Sequence, residues 1–152
     1  MKPIIYLIML FVGITTYSFA QNTKPAIKED ASRDAVLSGF MKAQMTNDVA
    51  SLRKLIARDA VILIPGKIDQ VRISKDEYLD FLKQSGKMQQ QCYPSYEILS
   101  SNANNVTARV DFDYTGFIIH HYLKAEKKND NWKITELNKS FPSSPAPVIV
   151  MQ

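Results

Sequence analysis

A predicted β-hairpin between Val106 and Ala125 constrains the fold of this chain more than any other stretch. Two runs of alternating apolar and polar residues flank Thr115-Gly116, a two-residue turn signal, so the runs should pair as antiparallel strands. Because cross-strand partners share a face, the turn also sets the register. The expected pairs are Tyr114 with Phe117, Phe112 with Ile119, Val110 with His121, and Ala108 with Leu123. The hairpin therefore predicts one apolar face that contains a single imidazole.

The opposite face of the same hairpin is polar. It is expected to carry Thr107, Arg109, Asp111, Asp113, Ile118, His120, Tyr122 and Lys124. Such a face is typical of a sheet surface that is open to water or to a partner subunit. We therefore expect a homodimer that forms through this outer face.

The N-terminal segment has the pattern of a secretory signal peptide. Lys2 precedes an apolar run from Ile4 to Ile14, and small residues follow up to Ala20. The alternative is a membrane anchor, but the run is shorter than the roughly 20 residues that cross a bilayer, and no basic cluster follows it at once. We expect cleavage after Ala20, which predicts a periplasmic or secreted protein that is not attached to a membrane.

The rest of the chain has the length of one compact domain. The expected divisions are a signal peptide (1–20), a flexible leader (21–30), a domain (31–141) and a Pro-rich extended tail (142–152). The formal charge is +4, but acidic and basic residues are interspersed, so a nucleic-acid surface is not expected. Cys92 is the only cysteine, so an intramolecular disulfide is impossible, and Cys92 is either buried or linked to another chain.

Helices are predicted at the start of the domain. A helix over Ala31–Met45 has an apolar stripe of Val36, Leu37, Phe40 and Ala43. Asn47 and Asp48 can cap a second, shorter helix, and Ser74 to Glu77 fits a capping box for a third helix that runs to about Gln84 and stops near Gly86. Tyr78, Phe81 and Leu82 are its expected core residues.

The remaining elements read as strands. Val61 to Ile64 is a short β-branched run that ends at Pro65-Gly66, which predicts a strand covered on both sides. Four further strands are expected over residues 93–100, 106–114, 117–126 and 132–141, with turn residues between them. Consecutive strands with short turns predict an antiparallel meander.

This order of elements, ending in Trp132-Lys133-Ile134, resembles the nuclear transport factor 2-like superfamily. The resemblance implies an α+β fold in which N-terminal helices pack on a strongly curved antiparallel sheet, with a cone-shaped pocket between them. Tyr122-Leu123-Lys124 together with the tryptophan motif is similar to the putative lumazine-binding family, whose members include exported bacterial proteins. The superfamily includes enzymes, binding proteins and dimerisation modules, so function has to be argued from the site.

The ketosteroid isomerases of this superfamily use a carboxylate base, a tyrosine and a protonated aspartate. An ungapped match on Asp48 and Asp59 places Phe40 where the tyrosine would stand and Ile64 where the base would stand. The aspartate position falls at His121. Hydrocarbon side chains cannot transfer protons, so that mechanism is argued against.

The predicted pocket combines apolar residues with a few polar ones. Its expected lining is Phe40, Ile64, Tyr78, Tyr96, Val110, Phe112, Tyr114, Ile119, His121 and Trp132. His121 and Tyr114 are the candidate catalytic residues, because a buried neutral imidazole can accept a proton. Alternatively, His121 is a core histidine that bonds a backbone carbonyl, Tyr96 or Tyr78.

No cofactor or metal site is expected. Adjacent strand residues point to opposite faces, so His120 and His121 cannot bind one ion. His120 with Asp111 and Asp113 would be a conceivable site, but a cross-strand ion pair is favoured, since Arg109 and Lys124 neutralise that face. Glycine-rich phosphate loops are also absent from the sequence.

The sequence therefore predicts an exported protein that binds a small apolar or aromatic molecule. One alternative is a cofactor-free isomerase, dehydratase or hydrolase with His121 as the general base. Another is an interaction module whose cone is filled by Phe40, Phe81, Phe112 and Phe117.

Overall fold

The computed structural model describes residues 31–141, in which three helices pack on a six-stranded sheet. The helices are α1 (Ala31–Met45), α2 (Val49–Leu55) and α3 (Lys75–Gln84). The strands are β1 (Ile56–Pro65), β2 (Gln70–Ile73), β3 (Tyr93–Ser101), β4 (Asn105–Tyr114), β5 (Phe117–Lys128) and β6 (Asn131–Ser140). The predicted signal peptide, leader and tail lie outside the described residues.

The strand order is β2-β1-β6-β5-β4-β3. The meander from β3 to β6 is antiparallel throughout, as predicted, whereas β1 pairs with β6 in the parallel sense. The sheet is therefore mixed, since its other four strand pairs are antiparallel. The predicted α+β fold, with N-terminal helices on one face of the sheet, is confirmed.

The hairpin of β4 and β5 has the predicted register. Tyr114 lies opposite Phe117, Val110 opposite His121, and Asp111 opposite His120. Gly116 in the turn has a φ of +100°, a conformation that side chains with a Cβ rarely adopt. The turn chemistry and the alternation thus agree, which places Val110 and His121 on the helix-facing side.

The helix boundaries follow from their caps. Asp48 accepts a hydrogen bond from the backbone of Ser51 at the start of α2, and the Ser74–Glu77 capping box at the start of α3 is complete. The chain leaves α3 through Gly86, whose φ is +70°. All three predicted helices are confirmed.

Helix α3 does not bury all the residues expected of it. Tyr78 is buried and Leu82 is half-buried, but Phe81 is 62% exposed, so its predicted core position is wrong. Leu79 is fully buried instead. Residues three and four positions apart share a helix face, and the face that meets the sheet is that of Tyr78, Leu79 and Leu82.

The structure also differs from prediction at β1 and β2. Strand β1 begins at Ile56, earlier than predicted. Strand β2 was not predicted, because it has only four residues, one of which is charged and three of which are exposed. Ile62 is fully buried, but Val61 and Leu63 on the opposite face are half-buried. The expectation of a strand covered completely on both sides is therefore wrong.

Gly116 has a positive φ that favours glycine, whereas Gly39 in α1 does not. We expect Gly116→Ala to destabilise the protein by about 1 kcal/mol, because φ is positive there. Gly39→Ala in α1 is the matched control: the added Cβ would meet Leu55 at an ordinary 3.5 Å, so it should stabilise by up to about 1 kcal/mol. Urea unfolding measures both, and equal effects of the two substitutions would contradict the assigned turn.

Candidate functional site

Several predicted pocket residues are cross-strand neighbours on the inner face of the sheet, which is the face that packs against α1. Tyr96, Val110 and His121 lie side by side across β3, β4 and β5, and Lys139 of β6 lies opposite His121. The parallel register of β1 with β6 continues this row to Ile64, since Leu63 lies opposite Asn138. This set of five residues is called the His121 row below.

His121 lies at the centre of the row and is buried by aromatic rings. Its imidazole meets the rings of Phe40 and Phe112 edge-on, with centroid distances of 5.7 and 5.1 Å. Only 3% of the residue is exposed. Phe40 comes from α1 and Phe112 from β4, so the imidazole lies between the helix layer and the sheet.

Neither ring nitrogen of His121 has a hydrogen-bond partner in the structure. The predicted partners are therefore wrong: no backbone carbonyl bonds the ring, Tyr96 is 38% exposed on the edge strand, and the hydroxyl of Tyr78 is bonded elsewhere. Burial, with smaller contributions from the charges of Lys139 and His120, lowers the pKa of His121 to about 3. The imidazole is therefore neutral at physiological pH.

A third unsatisfied polar atom lies one helical turn from Phe40. The Nε2 atom of Gln44 donates a 3.0 Å hydrogen bond to the hydroxyl of Tyr78, while its Oε1 atom is buried without a partner. Residues 40 and 44 share a helix face, so Gln44 projects toward the same space as Phe40. Burial raises the pKa of Tyr78, so its phenol keeps its proton.

Lys139 brings a positive charge to the row. It is half-buried, and its Nζ atom lies 5.5 Å from the centroid of the Phe141 ring. Burial lowers its pKa. The sequence analysis missed Lys139, although the alternation Leu137, Lys139, Phe141 on the last strand carried the signal.

Tyr114, the other catalytic candidate, is held away from His121. Its hydroxyl donates to Oε1 of Gln90, whose Nε2 donates to the backbone oxygen of Gln44. Four residues separate Tyr114 from Val110, the cross-strand partner of His121, which is roughly 13 Å along a strand. Burial, and then the neighbouring thiol of Cys92, raises the pKa of Tyr114 to about 12.

The remaining predicted lining residues divide between the two ends of the sheet. Phe112 and the half-buried Ile119 form the next inner row beyond His121. Trp132 is buried, but seven residues separate it from Lys139 on β6, roughly 23 Å along a strand. The structure therefore leaves Trp132 and Tyr114 apart and reaches Tyr78 through Gln44. It groups Phe40, Ile64, Tyr96, Val110, Phe112, Ile119 and His121.

The alternative hypothesis that phenylalanine side chains fill the cone can be tested by the exposure of the four residues proposed to do so. Phe40 and Phe112 are buried, with 0% and 2% of each residue exposed, whereas Phe81 and Phe117 are 62% and 48% exposed. Phe117 stacks on Tyr114 instead, with a centroid distance of 4.8 Å. Two of the four side chains proposed to fill the cone therefore lie at the surface.

The outer face carries a network of ion pairs. Arg109 contacts Glu97 and Asp111 at 3.0 Å each, and Nδ1 of His120 lies 2.8 Å from Asp111. These contacts agree with the predicted cross-strand pairing of His120. Among residues 31–141, no group of three or more His, Cys, Asp or Glu residues could hold a metal ion.

A cavity that the sequence did not indicate lies in the groove between α1 and α2. Its volume is about 300 Å³. It is lined by Gly39, Lys42, Ala43, Thr46, Asp48, Ser51, Lys54 and Leu55. Its hydroxyls already have partners, since Thr46 donates to the backbone of Lys42 and Ser51 donates to Asp48. The unsatisfied polar atoms of the described residues lie at the His121 row and Gln44 instead.

Residues 28–142 match the family described as "Putative lumazine-binding". The chain belongs to this family. No curated protein matches the chain.

Solved structures with the same architecture include proteins of unknown function. A nuclear transport factor 2-like protein from Silicibacter pomeroyi is 14% identical, with a TM-score of 0.63 over 73% of this chain and 93% of that one. A similar protein from Cytophaga hutchinsonii is 22% identical, with a TM-score of 0.57 over 72% and 97%. A cystatin-like fold protein from Burkholderia xenovorans is 14% identical, with a TM-score of 0.60 over 76% and 92%.

These likenesses establish the nuclear transport factor 2-like fold and thus confirm the resemblance found in the sequence. At such identities they establish the fold alone. Within residues 31–141, no helix has the length and apolar composition needed to span a bilayer.

The buried imidazole should make stability depend on pH. The ordinary pKa of a histidine is 6.5, so His121 binds a proton below this pH when the chain is unfolded. In the folded protein the imidazole stays neutral down to about pH 3. The free energy of unfolding is therefore independent of this group above pH 6.5 and decreases as pH falls below it, at up to about 1.4 kcal/mol per pH unit. We expect His121→Leu to flatten this decline in urea unfolding across that range.

The control is His120→Leu, one residue away on the outer face, which leaves the buried ring in place and should keep the decline. Near neutral pH, His121→Leu should also raise Tm, because it removes two unsatisfied nitrogens without leaving a large cavity. Parallel pH curves for wild type and His121→Leu would contradict the burial of a neutral imidazole.

Proposed function

We propose that this protein is exported and binds a small, largely apolar or aromatic molecule between α1 and the inner face of the sheet. The observation that carries the proposal is the set of buried polar atoms without partners, namely both ring nitrogens of His121 and Oε1 of Gln44. An unsatisfied buried polar group costs about 1–3 kcal/mol. A ligand that hydrogen-bonds to these atoms would recover that cost.

The surroundings of these atoms favour a flat, aromatic ligand. Phe40 and Phe112 present their rings beside His121, and Ile119 lies in the next row. The family name supports the same class, since lumazine is a flat heteroaromatic compound with hydrogen-bonding edges. Apolar walls with a few convergent polar groups are the usual composition of a ligand pocket.

The alternative of a cofactor-free isomerase, dehydratase or hydrolase has less support. A general base works best when its pKa lies near the working pH, whereas that of His121 is lowered to about 3. Among the described residues no side chain bonds the imidazole to orient it, and the proposed donor Tyr114 lies several residues along the sheet and bonds Gln90. Binding therefore accounts for the arrangement better than proton transfer does.

The binding proposal can be tested with N-phenylnaphthylamine, an uncharged aromatic dye whose fluorescence rises in apolar pockets. We expect residues 21–152 to bind it and Ile119→Trp to weaken binding at least about tenfold, because the larger ring would occupy the inner space. Ile118→Trp, on the adjacent residue that faces outward, is the matched control and should leave the affinity unchanged. Equal affinities for wild type and both variants would contradict binding at the inner face.

We also propose that the protein forms a homodimer through its outer face. Ile118 and Tyr122 are half-buried there among the ion pairs of Arg109 and Asp111, a mixture that suits a shared two-fold surface. Sedimentation of residues 21–152 should show a dimer, and Tyr122→Glu should yield a monomer that keeps its circular dichroism spectrum, since a like charge would face its copy. A wild-type monomer at micromolar concentration would contradict this interface.

A further inference from the structure

Lys139 is the one charged residue in the His121 row. Its four companions are the neutral His121, the aliphatic Ile64 and Val110, and the phenol of Tyr96. Lys139 lies directly opposite His121 on the neighbouring strand, and cross-strand partners share a face. The positive charge therefore lies beside the two ring nitrogens that have no partner.

No carboxylate balances this charge in the described part of the chain. The lysines of the neighbouring strand β5 have acidic neighbours, as Lys124 does with Glu126 and Glu136 at 3.4 and 3.3 Å. For Lys139 the structure records only the face of the Phe141 ring, 5.5 Å from Nζ to the centroid. Removing an ammonium group from water costs free energy, and contact with an aromatic face recovers only part of it. The remaining cost is larger when no anion takes the place of the water.

We propose that the site at the His121 row selects ligands that carry an anionic group, and that Lys139 binds this group. The inference rests on the proposed function, because it needs a ligand between α1 and the inner face. It specifies the chemistry of that ligand: an acidic group, such as a carboxylate, sulfonate or ionised ring oxygen, attached to an apolar or aromatic body. The body contacts Phe112 and Ile119, and the anion lies at Lys139.

The charges of the surrounding elements agree with this assignment. On α1, Phe40 contacts His121 and Gln44 lies one turn further along, and on α3 Tyr78 bonds Gln44. Among the described residues, no carboxylate of the helices pairs with Lys139. The acidic residues of the central strands are on the outer face, where Asp111 is engaged by Arg109 and His120. An anionic ligand at the inner face would therefore meet one positive charge and neutral polar groups.

The experiment compares two dyes that share a ring system and differ in charge. Anilinonaphthalenesulfonate carries a sulfonate, and N-phenylnaphthylamine is its uncharged counterpart. The measured quantity is the ratio of their dissociation constants for residues 21–152, at low and at physiological salt. We expect the sulfonate to bind more tightly in wild type and Lys139→Met to reduce that preference about tenfold, which corresponds to about 1.4 kcal/mol.

Two further variants separate charge from shape and position. Lys139→Arg keeps the positive charge and should retain most of the preference, whereas Lys83→Met removes a charge from the exposed side of α3 and should change nothing. Ile119→Trp should weaken both dyes together, which shows that the sulfonate binds at the inner face rather than on an exposed patch. All variants should keep the wild-type circular dichroism spectrum.

The possible outcomes distinguish this inference from the proposed function. Binding of the uncharged dye at the inner face with a dye ratio that Lys139→Met leaves unchanged would overturn the role of Lys139 and preserve the pocket. Sulfonate binding that survives Ile119→Trp would likewise overturn it. Failure of wild type to bind either dye would contradict the proposed function itself.

Discussion

The alternation of side chains along β4 and β5 is the constraint on which the rest of the structure depends. The turn at Thr115-Gly116 fixes the register, and a slip of one residue would exchange the two faces. Val110 and Phe112 would then meet water, while Asp111 would enter the layer beneath α1. Because both errors are costly, this hairpin fixes the face on which the helices pack and the side from which a ligand would approach.

The adjacent histidines show how strongly this alternation controls chemistry. His120 lies 2.8 Å from Asp111 on the outer face, within reach of water and of a carboxylate. His121, the next residue, lies between aromatic rings without any partner. Identical side chains thus have opposite environments, since successive strand residues point to opposite faces. The buried imidazole lowers stability where Leu would serve as packing, and the ligand-binding role proposed for His121 would account for this cost.

Among residues 31–141, the inner face combines a neutral imidazole, an amide and an ammonium group without a paired carboxylate. Such a set can hold a ligand by hydrogen bonds and by one charge, but it lacks a base matched to neutral pH. In the ketosteroid isomerases, the corresponding positions carry the reacting groups. The ungapped sequence match puts Phe40 and Ile64 at two of them, and both lie next to the His121 site in the structure. The shared fold therefore does not by itself imply shared chemistry, as expected for a scaffold that supports many functions.

The sequence by itself determined the elements governed by local rules. The caps at Asp48 and Ser74, the turn glycine Gly116 and the alternation of the hairpin fixed the helices, the meander and the register, because each depends on residues close together in the chain. The same rules predicted that His121 would be buried.

Only the tertiary structure decided what the buried imidazole contacts. Its lack of partners, the nearby amide of Gln44 and the charge of Lys139 depend on how α1 and β6 pack against β5, which joins residues far apart in sequence. The same packing exposed Phe81 and buried Leu79, because hydrophobicity alone does not tell which side of a helix meets the sheet. Local patterns therefore determined the scaffold, and long-range packing determined the site.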